Sequence, residues 1–290
     1  MTRTARRTLA ASAMTAERDD APVSFTTVPG DPDSPWILHV PHASTRIPAA
    51  VRARIVLDDE DLAAELAAMT DAHTDRLAER TSDGVGSGRR PWSFVNGLSR
   101  LVVDPERFPD AREVMNRVGM GAVYTRTSTG APLRAEDPAD RAELVATYFE
   151  PYGRALADLV DDRLAATGRA VILDLHSFPQ HALPYELHPD DERPVICLGA
   201  DDRHTSPGLL DAAREAFAPL GSLAVDRPLR GTYVGLRHHG RDDRVESIML
   251  EVRRDAYLRA DEAADDAAID RFATAAARLI DGFATSGATA

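Results

Sequence analysis

Short apolar runs alternate along the chain with longer stretches in which apolar residues recur every three or four positions. The short runs predict strands, at residues 36–40, 101–103, 170–175, 194–198 and 247–252. The periodic stretches predict helices, at about residues 58–80, 139–167, 206–220 and 261–283. Gly168 is expected to cap the second of these helices. Strands that alternate with helices indicate a layered α/β fold.

The two ends of the chain differ from the middle. Residues 1–20 are polar and predict a disordered leader, and residues 285–290 form a tail of small residues. Between them, no stretch has the composition of a linker between domains. We therefore expect one domain, over residues 21–285.

Composition narrows the possible partners and the location. Hydrophobic residues make up 43% of the 290 positions, enough for a full core, and the formal net charge is −13. Because an acidic chain repels phosphate backbones, we expect no nucleic-acid partner. No run approaches the ~18 apolar residues of a membrane helix, and no signal peptide is evident, so we expect a cytoplasmic protein without a membrane partner. A monomer and a homodimer both remain possible.

A single cysteine, Cys197, limits the chemistry further. It excludes an intrachain disulfide and a cysteine-based zinc site, and its apolar surroundings predict a buried side chain. The sequence also has no G-x-S-x-G nucleophile elbow, P-loop, dinucleotide fingerprint or H-E-x-x-H motif.

Two histidines follow predicted strands. His176 comes directly after the strand at 170–175, and His42 follows the strand at 36–40 after one proline. Either residue alone is more simply explained as a structural histidine. Together they indicate a metal site, because ligands bind at the carboxyl ends of strands and imidazole suits zinc, which in catalytic sites has three protein ligands and a water.

Two further residues lie within these strands. Asp174 precedes His176 by two positions and shares its face of the strand, so we expect it to orient the imidazole from behind. His39 lies inside its strand, and we expect a structural role for it.

The third ligand should come from residues 70–76. In a helix, Asp71 and Asp75 share a face, whereas His73 points elsewhere. The helix therefore offers one or both aspartates. The alternative for this segment is a solvated acidic helix face.

Glu251 is a carboxylate inside an otherwise apolar predicted strand. Burying it costs several kcal/mol unless it is paired, a cost that proteins accept at functional sites. Beside a metal it would suit a general base that later acts as an acid. The alternative, a buried ion pair with Arg253, Arg254 or another arginine, is equally compatible with composition.

Several basic residues are candidates for binding an anionic substrate. Arginine matches a carboxylate with two parallel hydrogen bonds, although any one of these residues alone is more simply a surface charge. The candidates are Arg100, Arg107, Arg230, Arg237, His238 and His239. The segment 230–240, which includes Tyr233, is predicted to be a loop that closes over a ligand.

Seven stretches, taken in order, resemble one family, the N-formylglutamate amidohydrolases. They span most of residues 36–260, and their order is more specific than any one of them. The stretches are HVPHASTRIP (39–48), MTDAHTDRL (69–77), SRLVVDPERF (99–108), MGAVYTR (120–126), ILDLHSF (172–178), LRGTYVGLRHHG (229–240) and SIMLEVRRDAYL (247–258).

The resemblance implies a fold and a set of residue roles. The fold would be a three-layer α/β/α arrangement with a mixed central sheet, as in zinc carboxypeptidases. The implied roles are zinc ligands at His42, His176 and Asp71, with Asp75 as the alternative to Asp71; a catalytic base and acid at Glu251; oxyanion or carboxylate contacts at Arg100 and Arg107; and substrate contacts at Arg230, Tyr233 and His238.

The implied activity is zinc-dependent hydrolysis of N-formyl-L-glutamate, or a similar small anionic N-acyl amino acid, to formate and the amino acid. This would place the enzyme in histidine degradation, and another divalent metal could replace zinc. Alternatives are a carboxypeptidase-like or aspartoacylase-like zinc amidohydrolase and a non-catalytic binding protein. The chain departs from the family at residues 104–107, which are Asp-Pro-Glu-Arg where many members have Asp-Leu-Asn-Arg. Because the asparagine of the family could contact the substrate, this departure affects which substrate the enzyme is expected to accept.

Overall fold

The computed structural model describes residues 24–86 and 88–286, so the predicted leader at 1–20 lies outside the described residues. The described strands are β1 Phe25–Val28, β2 Trp36–Val40, β3 Trp92–Asn96, β4 Ala170–Phe178, β5 Ile196–Gly199, β6 Leu223–Val225 and β7 Val245–Arg253. The described α-helices are α1 Ala49–Arg52, α2 Asp59–Met69, α3 Thr74–Gly84, α4 Pro138–Leu144, α5 Glu150–Thr167, α6 Pro207–Phe217 and α7 Asp266–Ser286. Within this part of the chain, no helix is long and apolar enough to cross a membrane.

The strands form one mixed sheet in the order β1-β3-β2-β4-β7-β5-β6. The four strands β3, β2, β4 and β7 are parallel. Antiparallel pairs occur towards both edges, between β1 and β3 and between β7 and β5. The prediction of a mixed central sheet is confirmed.

Alternating residues of the central strands pack against helices on opposite sides of the sheet. Leu38, Leu173 and Leu250 belong to a core shared with α3, α6 and α7. Ile37 and Ile172 pack on the other side, against residues of α5. Because successive strand residues point to opposite faces, this alternation produces three layers. The predicted α/β fold is confirmed.

Some predicted elements differ from the structure. The helix predicted at 58–80 is interrupted between α2 and α3, where His73 adopts a left-handed conformation with φ of 65°. The helix predicted at 139–167 contains a π-helical stretch, Val145–Phe149, between α4 and α5, and Gly168 ends it with φ of 80°, as predicted. Residues 101–103 form a turn instead of a strand, and β1, β3 and β6 were not predicted.

The candidate site lies at the carboxyl ends of β2, β4 and β7. These strands are parallel, so their carboxyl ends meet at one edge of the sheet. The loop after β6 passes close to Gly199, which ends β5 and is level with Met249 of β7. A Cβ atom at Gly199 would lie only 2.0 Å from the carbonyl oxygen of Gly231, so the close approach of this loop requires glycine.

Candidate metal centre and active site

His42, Asp71 and His176 meet in the structure, and all three are buried. The Nδ1 atoms of the two histidines are 3.3 Å apart. Asp71 Oδ2 lies 3.1 Å from Nδ1 of His176 and 3.5 Å from Nδ1 of His42. Tetrahedral zinc with bonds of ~2.0–2.1 Å separates its ligand atoms by about 3.4 Å. The three donor atoms therefore fit a zinc ion.

The backbone around Asp71 holds this side chain against the histidines. Its N–H donates to the carbonyl of His42 at 3.0 Å, and its own carbonyl accepts from the Thr74 hydroxyl at 2.9 Å. The Tyr257 hydroxyl donates to the next carbonyl, that of Ala72, at 2.7 Å. Asp75, the alternative ligand, is exposed in the first turn of α3 and accepts from the N–H of Arg76. The structure thus brings Asp71 to the histidine pair and leaves Asp75 at the surface.

The second oxygen of Asp71 faces away from the histidines. Oδ1 lies 3.4 Å from the Arg254 guanidinium and 3.5 Å from the Ser177 hydroxyl. Burial by itself raises the pKa of Asp71, but its contacts with His176 and His42 lower that pKa below the usual range. Asp71 is therefore an anion with one oxygen turned towards the two histidines. Arg254 was considered only as a partner of Glu251, and its pairing with Asp71 was not predicted.

A second carboxylate, Asp104, lies behind His42. Its Oδ1 is 3.0 Å from Nε2 of His42. Its Oδ2 accepts hydrogen bonds from Arg100 at 2.8 Å and from the Tyr124 hydroxyl at 2.5 Å. Burial raises the pKa of Asp104, but Arg100 and His42 hold it well below its usual range. A carboxylate on the outer nitrogen of a metal-binding histidine orients the ring. Asp104 lies inside one of the family-like stretches, but no role was predicted for it.

Asp174, predicted to stand behind His176, lies beside Nε2 of that ring and also binds other groups. Oδ1 is 2.9 Å from Nδ1 of His39, and Oδ2 accepts from the backbone N–H of Tyr233 at 3.1 Å. The outer nitrogen of His39 in turn contacts the Tyr152 hydroxyl at 2.6 Å, which links β2, β4 and α5. Asp174 Oδ1 is also 3.1 Å from Nε2 of His176, but that nitrogen has no aligned hydrogen bond with any described residue.

Glu251 is buried at the level of His176 on the neighbouring strand, with 6% of its surface exposed. Its Oε2 has no hydrogen-bond partner among the described residues. Burial raises the pKa of this carboxyl to about 8. Arg253 and Arg254, the alternative partners, donate to Asp255 and to Asp71. An unpaired buried carboxyl that lines a cavity is a candidate for proton transfer.

The candidate ligands and Glu251 line a cavity of about 850 Å³. All the predicted substrate residues except His238 line it, namely Arg100, Arg107, Arg230, Tyr233, Arg237 and His239. Arg107 is 28% exposed and lies 3.7 Å from Asp104, whereas Arg230 is 58% exposed. His238 is not among the lining residues; its Nε2 contacts Asp161 of α5 at 2.8 Å.

Glu106, predicted only as a departure from the family pattern, lies among the histidines. Its Oε2 is 3.3 Å from Nε2 of His176 and 3.7 Å from Nε2 of His42, and its Oε1 is 3.5 Å from Nδ1 of His39. Glu106 also belongs to two groups of neighbouring side chains whose donor atoms could hold a metal ion. One group includes His42 and His176, and the other includes His39 and Asp174. Glu106 thus lies near Nε2 of His176 and His42, whereas Asp71 lies near Nδ1 of the same two rings.

Comparisons with known proteins agree on one family. The model of the family described as N-formylglutamate amidohydrolase matches residues 34–258 of this chain. The chain is 27% identical over 232 residues to the N-formylglutamate deformylase of Pseudomonas aeruginosa, a match that covers 77% of this chain and 82% of that protein.

Two solved structures share the fold. The crystal structure of N-formylglutamate amidohydrolase from Ralstonia eutropha JMP134 is 22% identical, with a TM-score of 0.76, over 91% of this chain and 99% of that one. A gene product of Agrobacterium tumefaciens is 19% identical, with a TM-score of 0.70, over 93% of this chain and 98% of that one. At these identities the likeness establishes the fold alone.

Proposed function

This chain belongs to the N-formylglutamate amidohydrolase family and is a hydrolase of amide bonds, and from this premise we propose that it converts N-formyl-L-glutamate, or a similar small N-acyl amino acid, to formate and the free amino acid. The membership confirms the resemblance that the seven sequence stretches indicate. The substrate, the metal and the residue roles that follow are our proposal.

The observation that carries the proposal is the arrangement of three donor atoms beside a buried carboxyl whose Oε2 has no hydrogen-bond partner in the described part of the chain. His42, Asp71 and His176 would hold zinc through atoms 3.1–3.5 Å apart, and Glu251 lies at the level of His176 on the next strand. When bound there, zinc supplies a positive charge that polarises a carbonyl and favours loss of a proton from water.

Glu251 would move the proton. As a carboxylate it accepts a proton from the water that attacks the formyl carbon, and it then gives that proton to the departing amide nitrogen as the C–N bond breaks. A raised pKa suits a group that must hold the proton between these two steps. The products are formate and the amine of the amino acid.

Arginine would hold the substrate. Arg107 lines the cavity, and its Nε has no hydrogen-bond partner among the described residues. A guanidinium with a free donor suits a substrate carboxylate and would orient the amide towards Glu251. Arg230 is more exposed and lies 3.7 Å from Asp191, which places it nearer the solvent.

The test measures zinc content and formate release in one preparation of wild type and of His176→Ala. We expect about one zinc per chain and formate release from N-formyl-L-glutamate in wild type, with both lost in the variant. His181→Ala, which removes an exposed histidine outside the cavity lining, is the matched control and should keep both properties. Zinc binding without formate release would contradict the substrate, and a wild type that binds no zinc would contradict the mechanism.

A further inference from the structure

A histidine that binds a metal through Nδ1 carries its proton on Nε2. That N–H needs an acceptor when it is buried, and the acceptor also fixes the orientation of the ring. For His42 the acceptor is Asp104, at 3.0 Å. For His176, Nε2 is buried and makes no aligned hydrogen bond with a described residue. Among the described residues, the candidate metal centre therefore lacks an aligned acceptor behind its second histidine.

Two carboxylates lie close to Nε2 of His176. Asp174 Oδ1 is 3.1 Å away and Glu106 Oε2 is 3.3 Å away. The oxygens of Asp174 already accept from His39 and from the backbone N–H of Tyr233. By contrast, Oε1 of Glu106 is buried without a hydrogen bond to any described residue. Each oxygen of Asp174 thus already accepts one hydrogen bond, so Glu106 has the greater unused acceptor capacity beside Nε2 of His176.

One turn positions both acceptors. Asp104 and Glu106 are separated by Pro105, and the N–H of Glu106 donates to Asp104 Oδ1 at 3.2 Å. The same Oδ1 contacts His42. The turn thus places one carboxylate behind His42 and the next one behind His176.

We propose that Glu106 is a positioning residue of the metal centre, whose carboxylate accepts the Nε2 proton of His176. It orients the ring so that Nδ1 faces the metal, and its negative charge makes the imidazole a stronger ligand. This inference rests on the metal site of the proposed function, but it does not depend on the identity of the substrate.

The test measures zinc affinity by competition with a chromophoric chelator, without any substrate. Glu106→Ala removes the acceptor and is expected to weaken zinc binding by about 10- to 100-fold, the effect usual for partners of metal-binding histidines. Glu106→Gln keeps an acceptor oxygen but loses the charge, so its affinity should lie between those of the alanine variant and wild type. The matched control is Glu150→Gln, which removes an exposed carboxylate that also lines the cavity.

Kinetics at saturating zinc separate positioning from substrate contact. The alanine variant should show a reduced kcat and an unchanged KM for N-formyl-L-glutamate, with thermal unfolding of the metal-free protein as a check on folding. Wild-type zinc affinity together with a raised KM would make Glu106 a substrate contact and overturn the proposal. If wild type binds zinc but releases no formate, the proposed substrate fails, while the ranking of zinc affinities still decides the role of Glu106. A wild type without zinc binding would overturn both.

Discussion

His176 and Glu251 lie at the same level of two adjacent parallel strands, β4 and β7. Residues paired in this way point to the same face of a sheet, which here is the face that α5 covers. The sheet itself therefore fixes the proposed metal ligand and the proposed proton acceptor as neighbours. Because strands are rigid, this geometry does not require a loop to close before the two groups meet.

Glu251→Gln is expected to reduce kcat by about 10²- to 10⁴-fold, the usual contribution of a positioned general base. Glutamine has the same shape but does not accept the proton of water. Zinc content should stay at the wild-type level, because Asp71 and the two histidines are unchanged. Formate release and zinc content, measured on the same samples, check this. A variant that keeps its kcat would remove Glu251 from the mechanism.

The same residue predicts a pH dependence of stability in the metal-free protein. Burial raises the pKa of Glu251 from 4.5 to about 8. Below pH 4.5 the carboxyl is protonated in both states. Between pH 4.5 and 8 only the unfolded state releases the proton, so the stability that the protonated group contributes is lost as the pH rises.

Urea unfolding in the presence of a chelator tests this dependence. The unfolding free energies of wild type and Glu251→Gln should differ least below pH 4.5. As the pH rises to about 8, the unfolding free energy of the variant should increase relative to that of wild type. Above that pH the difference should stay constant, because the carboxyl is ionised in both states. A difference that does not change with pH would show that Glu251 has the same pKa in the folded and unfolded states, which would contradict the raised value.

The sequence predicts the site residues that stand out in their local pattern, but not those that depend on contacts between distant parts of the chain. His42, His176 and Glu251 were found because each interrupts or ends a local apolar run. Asp104 was not, because the sequence does not show that it would reach His42 across a separation of 62 residues. The interruption of the helix predicted at 58–80 was missed because helical spacing continues through it. The strands β1 and β6 have no buried residue and only four and three residues, so they lack the long buried apolar runs of the nine-residue strands β4 and β7.

Asn substitutions at Asp71 and Asp75 form a matched pair that tests which aspartate is the third metal ligand. Asp71→Asn is expected to lose zinc, because the variant no longer supplies a charged ligand oxygen beside the two histidines. Asp75→Asn should bind zinc as wild type does, because Asp75 is exposed and, among the described residues, its side chain accepts only the local hydrogen bond from the N–H of Arg76. Metal analysis after dialysis measures both. The reverse result would exchange the two roles.

Arg107 and Arg230 are expected to contribute unequally to substrate binding. A hydrogen bond to a charged group is worth ~1.5–3 kcal/mol, so Arg107→Ala should lower kcat/KM for N-formyl-L-glutamate by roughly 10- to 100-fold. Arg230→Ala should have a smaller effect, because its side chain is 58% exposed. Repeating the assay with N-formyl-L-glutamine identifies which substrate carboxylate each arginine holds. A larger loss in Arg230→Ala would place the carboxylate at the mouth of the cavity.

Asp104→Asn is expected to destabilise the protein as well as the metal centre. Asp104 is fully buried and pairs with Arg100 and the Tyr124 hydroxyl, so its loss leaves a largely buried guanidinium without its counter-charge. Removing one partner of a buried ion pair typically costs ~3–5 kcal/mol.

Chemical unfolding with a chelator present would show this loss separately from any effect on zinc. Asp110→Asn, which breaks an exposed pair with Arg112, is the control and should leave the midpoint unchanged. Zinc should raise the midpoint of Asp104→Asn less than that of wild type, because His42 loses the carboxylate behind it and binds the metal more weakly. Equal zinc stabilisation in the two proteins would mean that Asp104 supports the fold alone and leaves the orientation of His42 to other contacts.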